Sequence, residues 1–150
     1  MLSVQIPKIL VTIVNVFEKK FILRFDGCSK GNPGLAGAGA VLYYNEDEIW
    51  ADYQFLGNQT NNQAEYNGLL LGLNYAVNSN IGSLYVEGDS SLVINQMTGK
   101  FKCESPNIID LYTKAKQLET KFDFIQFNHI YRNLNTRADE LANLAIQKHK

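Results

Sequence analysis

Cysteine is scarce in this chain. Its 150 residues hold two, Cys28 and Cys103, at no zinc-ligand spacing and too few for a disulfide framework. Reduced thiols in an intracellular protein are the expected reading. Proline occurs three times and tryptophan once, as Trp50, and no repeat, low-complexity tract or linker breaks the chain, which excludes solenoid and fibrous classes. Charge of one sign is also missing. A net charge of −1 gives no global basic footprint, so a nucleic-acid partner would need a local patch or bound metal. Residues Ile9 to Phe17 (ILVTIVNVF) are too short an apolar run to cross a membrane. Asn15 interrupts that run, Glu18-Lys19-Lys20 follows it, and no small-residue cleavage site is evident, so an N-terminal extension or extra strand over residues 1–20 is expected rather than a secretory leader. Finally, no G-x-G-x-x-G occurs. The glycines of GLAGAGA lead into a strand, where a dinucleotide site needs a helix, and look more like close packing.

What is present suits one soluble domain over residues 21–150, with a core of ordinary size. Phe21–Phe25 reads as a strand and Cys28–Gly34 as a glycine- and proline-rich turn. Gly37–Tyr44 and Glu48–Leu56 read as two more strands around the polar tip Asn45-Glu46-Asp47, closing an antiparallel meander. Thr60 and Gln63 form a capping box for a helix to about Asn78, on which Glu65, Leu69, Leu73 and Ala76 share one stripe. A strand over Ser83–Glu87, a short helix over Ser90–Met97 stopped by Gly99, and a helix from Pro106 to about Thr120 follow. A strand over Phe122–Tyr131 and a helix from Thr136 to about Gln147, capped by Asn135, complete the chain. The expected fold is α/β: a mixed five-stranded sheet, three strands antiparallel and the rest joined by parallel crossovers, with helices packed on it.

Four acids sit where exposed charge is not expected. Asp26 ends FILRF, Glu65 lies on an apolar helix stripe, Asp89 ends SLYVEG, and Asp139 lies beside Leu141 and Ala142. Each has an ordinary explanation as turn former, cap or first-turn acid. Those explanations do not cover an acid on an apolar stripe. Gathered together, four carboxylates would repel and raise one another's pKa unless a divalent cation neutralised them. Hard oxygen donors suit Mg²⁺ or Mn²⁺, not zinc.

Four segments now carry a resemblance: DGCSKGNPG (26–34) with the G-x-G after it, TNNQAE (60–65), GDSS (88–91) and R-x-x-N-x-x-A-D-E-L-A-N (132–143). Over about residues 21–148 the chain resembles type I ribonuclease H. HIYRNLNTRADELAN is closest to the compact, archaeal- and plant-like form. The resemblance implies an endoribonuclease cutting the RNA strand of RNA–DNA hybrids to 5′-phosphate and 3′-hydroxyl ends. It implies two Mg²⁺ ions, with Mn²⁺ as substitute, held by Asp26, Glu65, Asp89 and Asp139. Asp26 would bridge both ions, Glu65 and Asp89 would complete one site, and Asp139 the other. Substrate would meet the backbone of Gly27, Cys28 and Ser29 and the amides of Asn32, Asn61, Asn62 and Gln63, with Lys100 and Lys102 on phosphates. The better-known form has a basic protrusion rich in Lys, Arg and Trp. Here that segment is short, so hybrid affinity should be modest and salt-sensitive. In that form a mobile loop before the last helix carries a catalytic histidine. The compact alignment instead leaves His129 in a strand and puts Arg132 near the metals, as the candidate for assisting phosphate or product release.

Three rival readings remain. A catalytically silent module binding hybrid or protein would not need all four acids. The ribonuclease H module of a reverse transcriptase is disfavoured by Met1 and by a chain that reads as complete. A nucleotide-binding α/β protein is disfavoured by the missing fingerprint. An intracellular, cytoplasmic or nucleoid/nuclear monomer with no membrane partner is expected.

Overall fold

The structure is a computed structural model that describes residues 19–149. The expectations for residues 1–18 lie outside it. Strands β1 (Phe21–Gly31), β2 (Gly34–Tyr44) and β3 (Asp47–Gln59) form the antiparallel meander. Helix α1 (Asn61–Asn78) crosses to β4 (Ser83–Gly88), and helices α2 (Ser91–Met97) and α3 (Ile109–Glu119) lead to β5 (Phe124–His129). A 3₁₀ turn (Arg132–Leu134) then opens α4 (Thr136–His149). The sheet order is β3-β2-β1-β4-β5, with β4 parallel to both β1 and β5. This is the mixed five-stranded sheet expected from the sequence.

Alternation along the strands divides the core. Leu23 and Phe25 of β1, Leu42 of β2 and Leu84 and Val86 of β4 pack against Tyr66, Leu69, Leu73 and Ala76 of α1. Each Leu, Val or Phe among them contributes about 1.5–3 kcal/mol when fully buried. Val41 forms a smaller cluster with Ala138 and Leu141 of α4. Gly39 lies against this helix, where a Cβ would meet the Ala138 carbonyl. The small residues of GLAGAGA are thus the seat of α4. Trp50 stacks on Tyr75 of α1 at 4.1 Å between ring centroids and belongs to the packing.

Strand β3 is longer than the sequence reading and β5 shorter, at Asp47–Gln59 and Phe124–His129, and two further boundaries differ in ways that bear on the site. Strand β1 continues through Asp26 and the glycine-rich segment, because Cys28, Ser29 and Lys30 pair with Gly37, Ala36 and Leu35 of β2. The turn shrinks to Asn32–Pro33, joined by a cis peptide. Pro106 stands outside α3. The amides of Ile108 and Ile109 both donate to Ser105 O, so a separate turn precedes the helix.

Candidate metal centre

Strand register places the first two acids. The last rung of the parallel β1–β4 ladder pairs Phe25 with Gly88, so Asp26, where β1 runs on paired with β2 alone, and Asp89, just past the end of β4, follow it side by side. This is the carboxyl end of parallel strands, where open α/β sheets place their sites. Glu65 arrives from α1 because two glycines let helix and strand touch. A Cβ on Gly27 would strike the backbone of Ala64 and Glu65, and one on Gly68 would strike Asp26 O. Asp26, Glu65 and Asp89 each offer one oxygen, all within 4.8 Å of one another. Asp139, exposed in the first turn of α4, lines the same cleft of about 430 Å³ but stands outside that tight triad.

Burial sets the electrostatics. Asp26 is 5% exposed and Glu65 9%. Burial, then the Asp89 and Asp139 carboxyls, push Asp26 up to about 7, against hydrogen bonds from Glu65 and the Gly27 amide that pull it down. Burial and the Asp26 charge raise Glu65 well above the usual carboxylate range. Without a cation the pair therefore retains a proton near neutrality. Glu65 Oε2 is buried with no hydrogen-bond partner among the described residues. Clustered oxygen donors, mutual repulsion and an orphaned buried oxygen fit a divalent, oxygen-preferring cation. The Cys28 thiol on the cleft wall is raised by burial and is no activated nucleophile.

The other predicted residues divide into those near the centre and those away from it. Asn61 Oδ1 accepts the Ser29 amide at 2.9 Å, and Asn32 Oδ1 accepts the Asn61 amide at 3.0 Å. This pair ties the β1–β2 hairpin to the start of α1; Gly27, Cys28 and Asn61 line the cleft, and Ser29 and Asn32 are bonded to Asn61. Asn62 is exposed beside them. Gln63 is committed to the fold: its Oε1 accepts the Thr60 amide at 2.8 Å and its Nε2 donates to Asn107 O at 3.2 Å. Arg132 lines the cleft with the carboxylates. His129 is exposed in β5 beside Gly88, its Nε2 3.2 Å from Asp89 O. Lys100 and Lys102 are exposed after α2 and do not line the carboxylate cleft.

Two asparagines hold the centre in ways that residue type alone does not announce. Asn135 does not cap α4 with its side chain. Its Nδ2 donates to Phe25 O and to Asp89 Oδ2, both at 2.9 Å, and its Oδ1 has no partner among the described residues. Asn143 donates to Asp139 Oδ1 at 3.3 Å and accepts from Lys30 Nζ at 2.7 Å. The only sequence signal was the asparagine spacing around Asp139 in the R-x-x-N-x-x-A-D-E-L-A-N run.

Residues 24–145 match the family described as reverse transcriptase-like. The bifunctional protein Rv2228c of Mycobacterium tuberculosis is 40% identical over 129 residues, which span 85% of this chain and 35% of that protein. Its solved N-terminal RNase H domain superposes with a TM-score of 0.83 at 39% identity, covering 87% of this chain and 96% of that one. Ribonuclease HI of Halobacterium salinarum is 40% identical over 123 residues, 81% of this chain and 62% of its own length. LC11-RNase H1, isolated from compost and solved in complex with RNA/DNA hybrid, superposes with a TM-score of 0.81 at 32% identity, covering 87% of this chain and 99% of that chain. The chain thus spans little more than a third of the mycobacterial protein and under two thirds of the halobacterial one.

Proposed function

Because this chain belongs to the type I ribonuclease H family, we propose that it is a metal-dependent endoribonuclease that hydrolyses the RNA strand of RNA–DNA hybrids. The observation that carries this reading is the triad of Asp26, Glu65 and Asp89 oxygens, two of the residues buried and Asp89 half-buried, within 4.8 Å of one another and including a Glu65 oxygen without a partner among the described residues. Asp26, Glu65 and Asp89 hold Mg²⁺, or Mn²⁺ in its place, and Asp139 completes the set from α4. Bound divalent ions supply Lewis-acid polarisation of the scissile phosphate and a water of lowered pKa. The chain supplies the placement. Asp26 and Asp89 are fixed where the β1–β4 ladder ends, and Glu65 by the close seat of α1 on β1. Asn32 and Asn61 use their amide carbonyls for the fold, which leaves their NH₂ groups for sugar hydroxyls in the wide, shallow minor groove of a hybrid. Arg132, with its fixed charge at the cleft wall, suits a phosphate. Free thiols at Cys28 and Cys103 suit a reducing, intracellular compartment.

The test is a labelled RNA–DNA hybrid incubated with Mg²⁺, Mn²⁺ or EDTA, beside RNA–RNA and DNA–DNA duplexes. Cutting confined to the RNA strand of the hybrid, abolished by EDTA, is expected. Asp26→Asn should stop cutting and keep hybrid binding. A protein that binds hybrid in Mg²⁺ and never cuts it would instead be a silent binding module.

A further inference from the structure

Asn135 stands where three of the four acid-bearing elements meet. It is 1% exposed. Its side-chain NH₂ group bonds the carbonyl of Phe25, the residue before Asp26, and the Oδ2 of Asp89. Its backbone carbonyl accepts the amide of Asp139 at 3.2 Å in the first turn of α4. One residue thus touches the strand beside Asp26, the carboxylate of Asp89 and the turn that carries Asp139.

The orientation of the amide follows from its partners. Turned over, Oδ1 would face a carbonyl and a carboxylate, acceptor against acceptor. An asparagine at this position ordinarily caps the helix, its side-chain oxygen taking an amide of the first turn. Here Oδ1 makes no such bond and is buried without a partner. The residue gives up the cap, and leaves a buried acceptor unmet, to place two donors on Phe25 and Asp89. A role confined to docking α4 would be met by the Phe25 bond and a cap. The bond to the Asp89 carboxylate is the part that docking does not require.

We propose that Asn135 is the positioning residue of the carboxylate centre, holding Asp89 in one rotamer and fixing its spacing from Asp26 and Asp139. This rests on the proposed function. Donors behind ligating groups set ligand orientation, and losing one typically weakens metal binding or activity by about 10–100-fold. Substrate contacts lie elsewhere, on the β1–β2 hairpin and the start of α1, so hybrid recognition should be spared.

The experiment uses ¹⁵N-labelled wild-type protein titrated with Mg²⁺, reading the Asn135 side-chain NH₂ signals, assigned through their contacts with Phe25 and Asp89. These signals should be protected from exchange and should shift with the same midpoint as cutting. Asn135→Ala, examined by calorimetric Mn²⁺ titration, should bind the ion about tenfold or more weakly. Its kcat should fall, partly restored by excess metal, with KM for hybrid within about twofold of wild type, since the hybrid contacts are untouched. NH₂ signals that stay still while the backbone signals of Asp26 and Glu65 respond would overturn the proposal, and this reading needs no variant to fold. A folded Asn135→Ala with lowered Tm and unchanged metal affinity would also overturn it, leaving a structural role alone. A wild-type protein with no response to Mg²⁺ anywhere is a distinct result, which removes the proposed function and this inference with it.

Discussion

Asp26 and Glu65 share a burial that neither tolerates as one of two anions. Burial pushes Asp26 up to about 7, so the native state holds a proton there that the unfolded chain has already lost. The sign follows from linkage. Where the native state binds more protons, stability falls as pH rises, here from the ordinary carboxylate range up through about 7. In EDTA, Tm should therefore fall between about pH 5 and about pH 8. Mg²⁺ should offset the fall, because a cation takes the place of the proton. Asp26→Asn should flatten the profile, and thermal melts of both proteins with and without Mg²⁺ check this. A wild-type profile as flat as that of the variant would mean the two acids do not share their burial. The same centre orders the activity losses. Asp89→Asn and Glu65→Gln should abolish cutting, because a neutral amide cannot replace an anionic ligand. His129→Ala should cost less than about tenfold, the ring not lining the carboxylate cleft and resting on Tyr131 with its Nε2 at the Asp89 carbonyl rather than the carboxylate. A loss of several hundredfold would make His129 a catalytic group.

Helix α1 shows how an element carries a functional group to its place. Its start is fixed by the Thr60–Gln63 capping box, with both reciprocal bonds present. Thr60→Ala should cost about 1 kcal/mol of stability, seen as a lowered Tm. Cutting should survive, because Glu65 is held further along by Gly27 and Gly68. Gly27→Ala should do more, since its Cβ would lift α1 from β1. The expected result is loss of the Mg²⁺-induced rise in Tm together with loss of cutting. An active, metal-stabilised Gly27→Ala would show that the close seat of the helix is dispensable. This helix was the most legible element in the sequence, because a capping box and an apolar stripe are local signals. Strand β1 was legible only as far as Phe25. The pairing that carries it through the glycine-rich segment comes from β2, and such partners are not marked in local composition. The proximity of Asp26 and Asp89 depends on strand register, so the sequence could suggest the acids but not their spacing. Asn135 looked like a cap because caps are recognised by residue type, whereas its partners Phe25 and Asp89 are 110 and 46 positions away in the chain.

For the whole molecule, the proposed activity requires a chain of net charge −1 to hold a polyanion. The structure narrows the cations that can do so. Lys116 is paired with Glu119 at 2.7 Å and leaves the set. Lys114 lines a separate hollow of about 490 Å³ between α1 and α3, with Asn67, Leu70 and Lys121. Arg132 faces the centre, Lys30 is held near it through Asn143, and Lys100 and Lys102 extend from the segment after α2. That segment is anchored. Tyr66 Oη donates to Gln96 Oε1 at 2.6 Å, and Gln96 Nε2 donates to Lys102 O at 3.4 Å, so its attachment reaches into the core. Each phosphate contact adds about 0.9 to the slope of log K against log salt on B-form DNA, so these few cations predict a magnitude of about 2 to 4 on hybrid. Removing Lys100 and Lys102 together should flatten the slope without changing which duplex is chosen, because phosphate contacts position while groove contacts specify. Preference for hybrid over DNA should instead weaken on changing Asn32 or Asn61, whose side-chain oxygens are taken by the fold while their NH₂ groups stay available to a 2′-hydroxyl. Gln63 should matter less to that preference, its amide being engaged on both sides. Salt-titrated binding by the Asp26→Asn protein measures both effects. A slope untouched by loss of the two lysines would move the docking face away from the segment after α2, toward the hollow that holds Lys114 and Lys121.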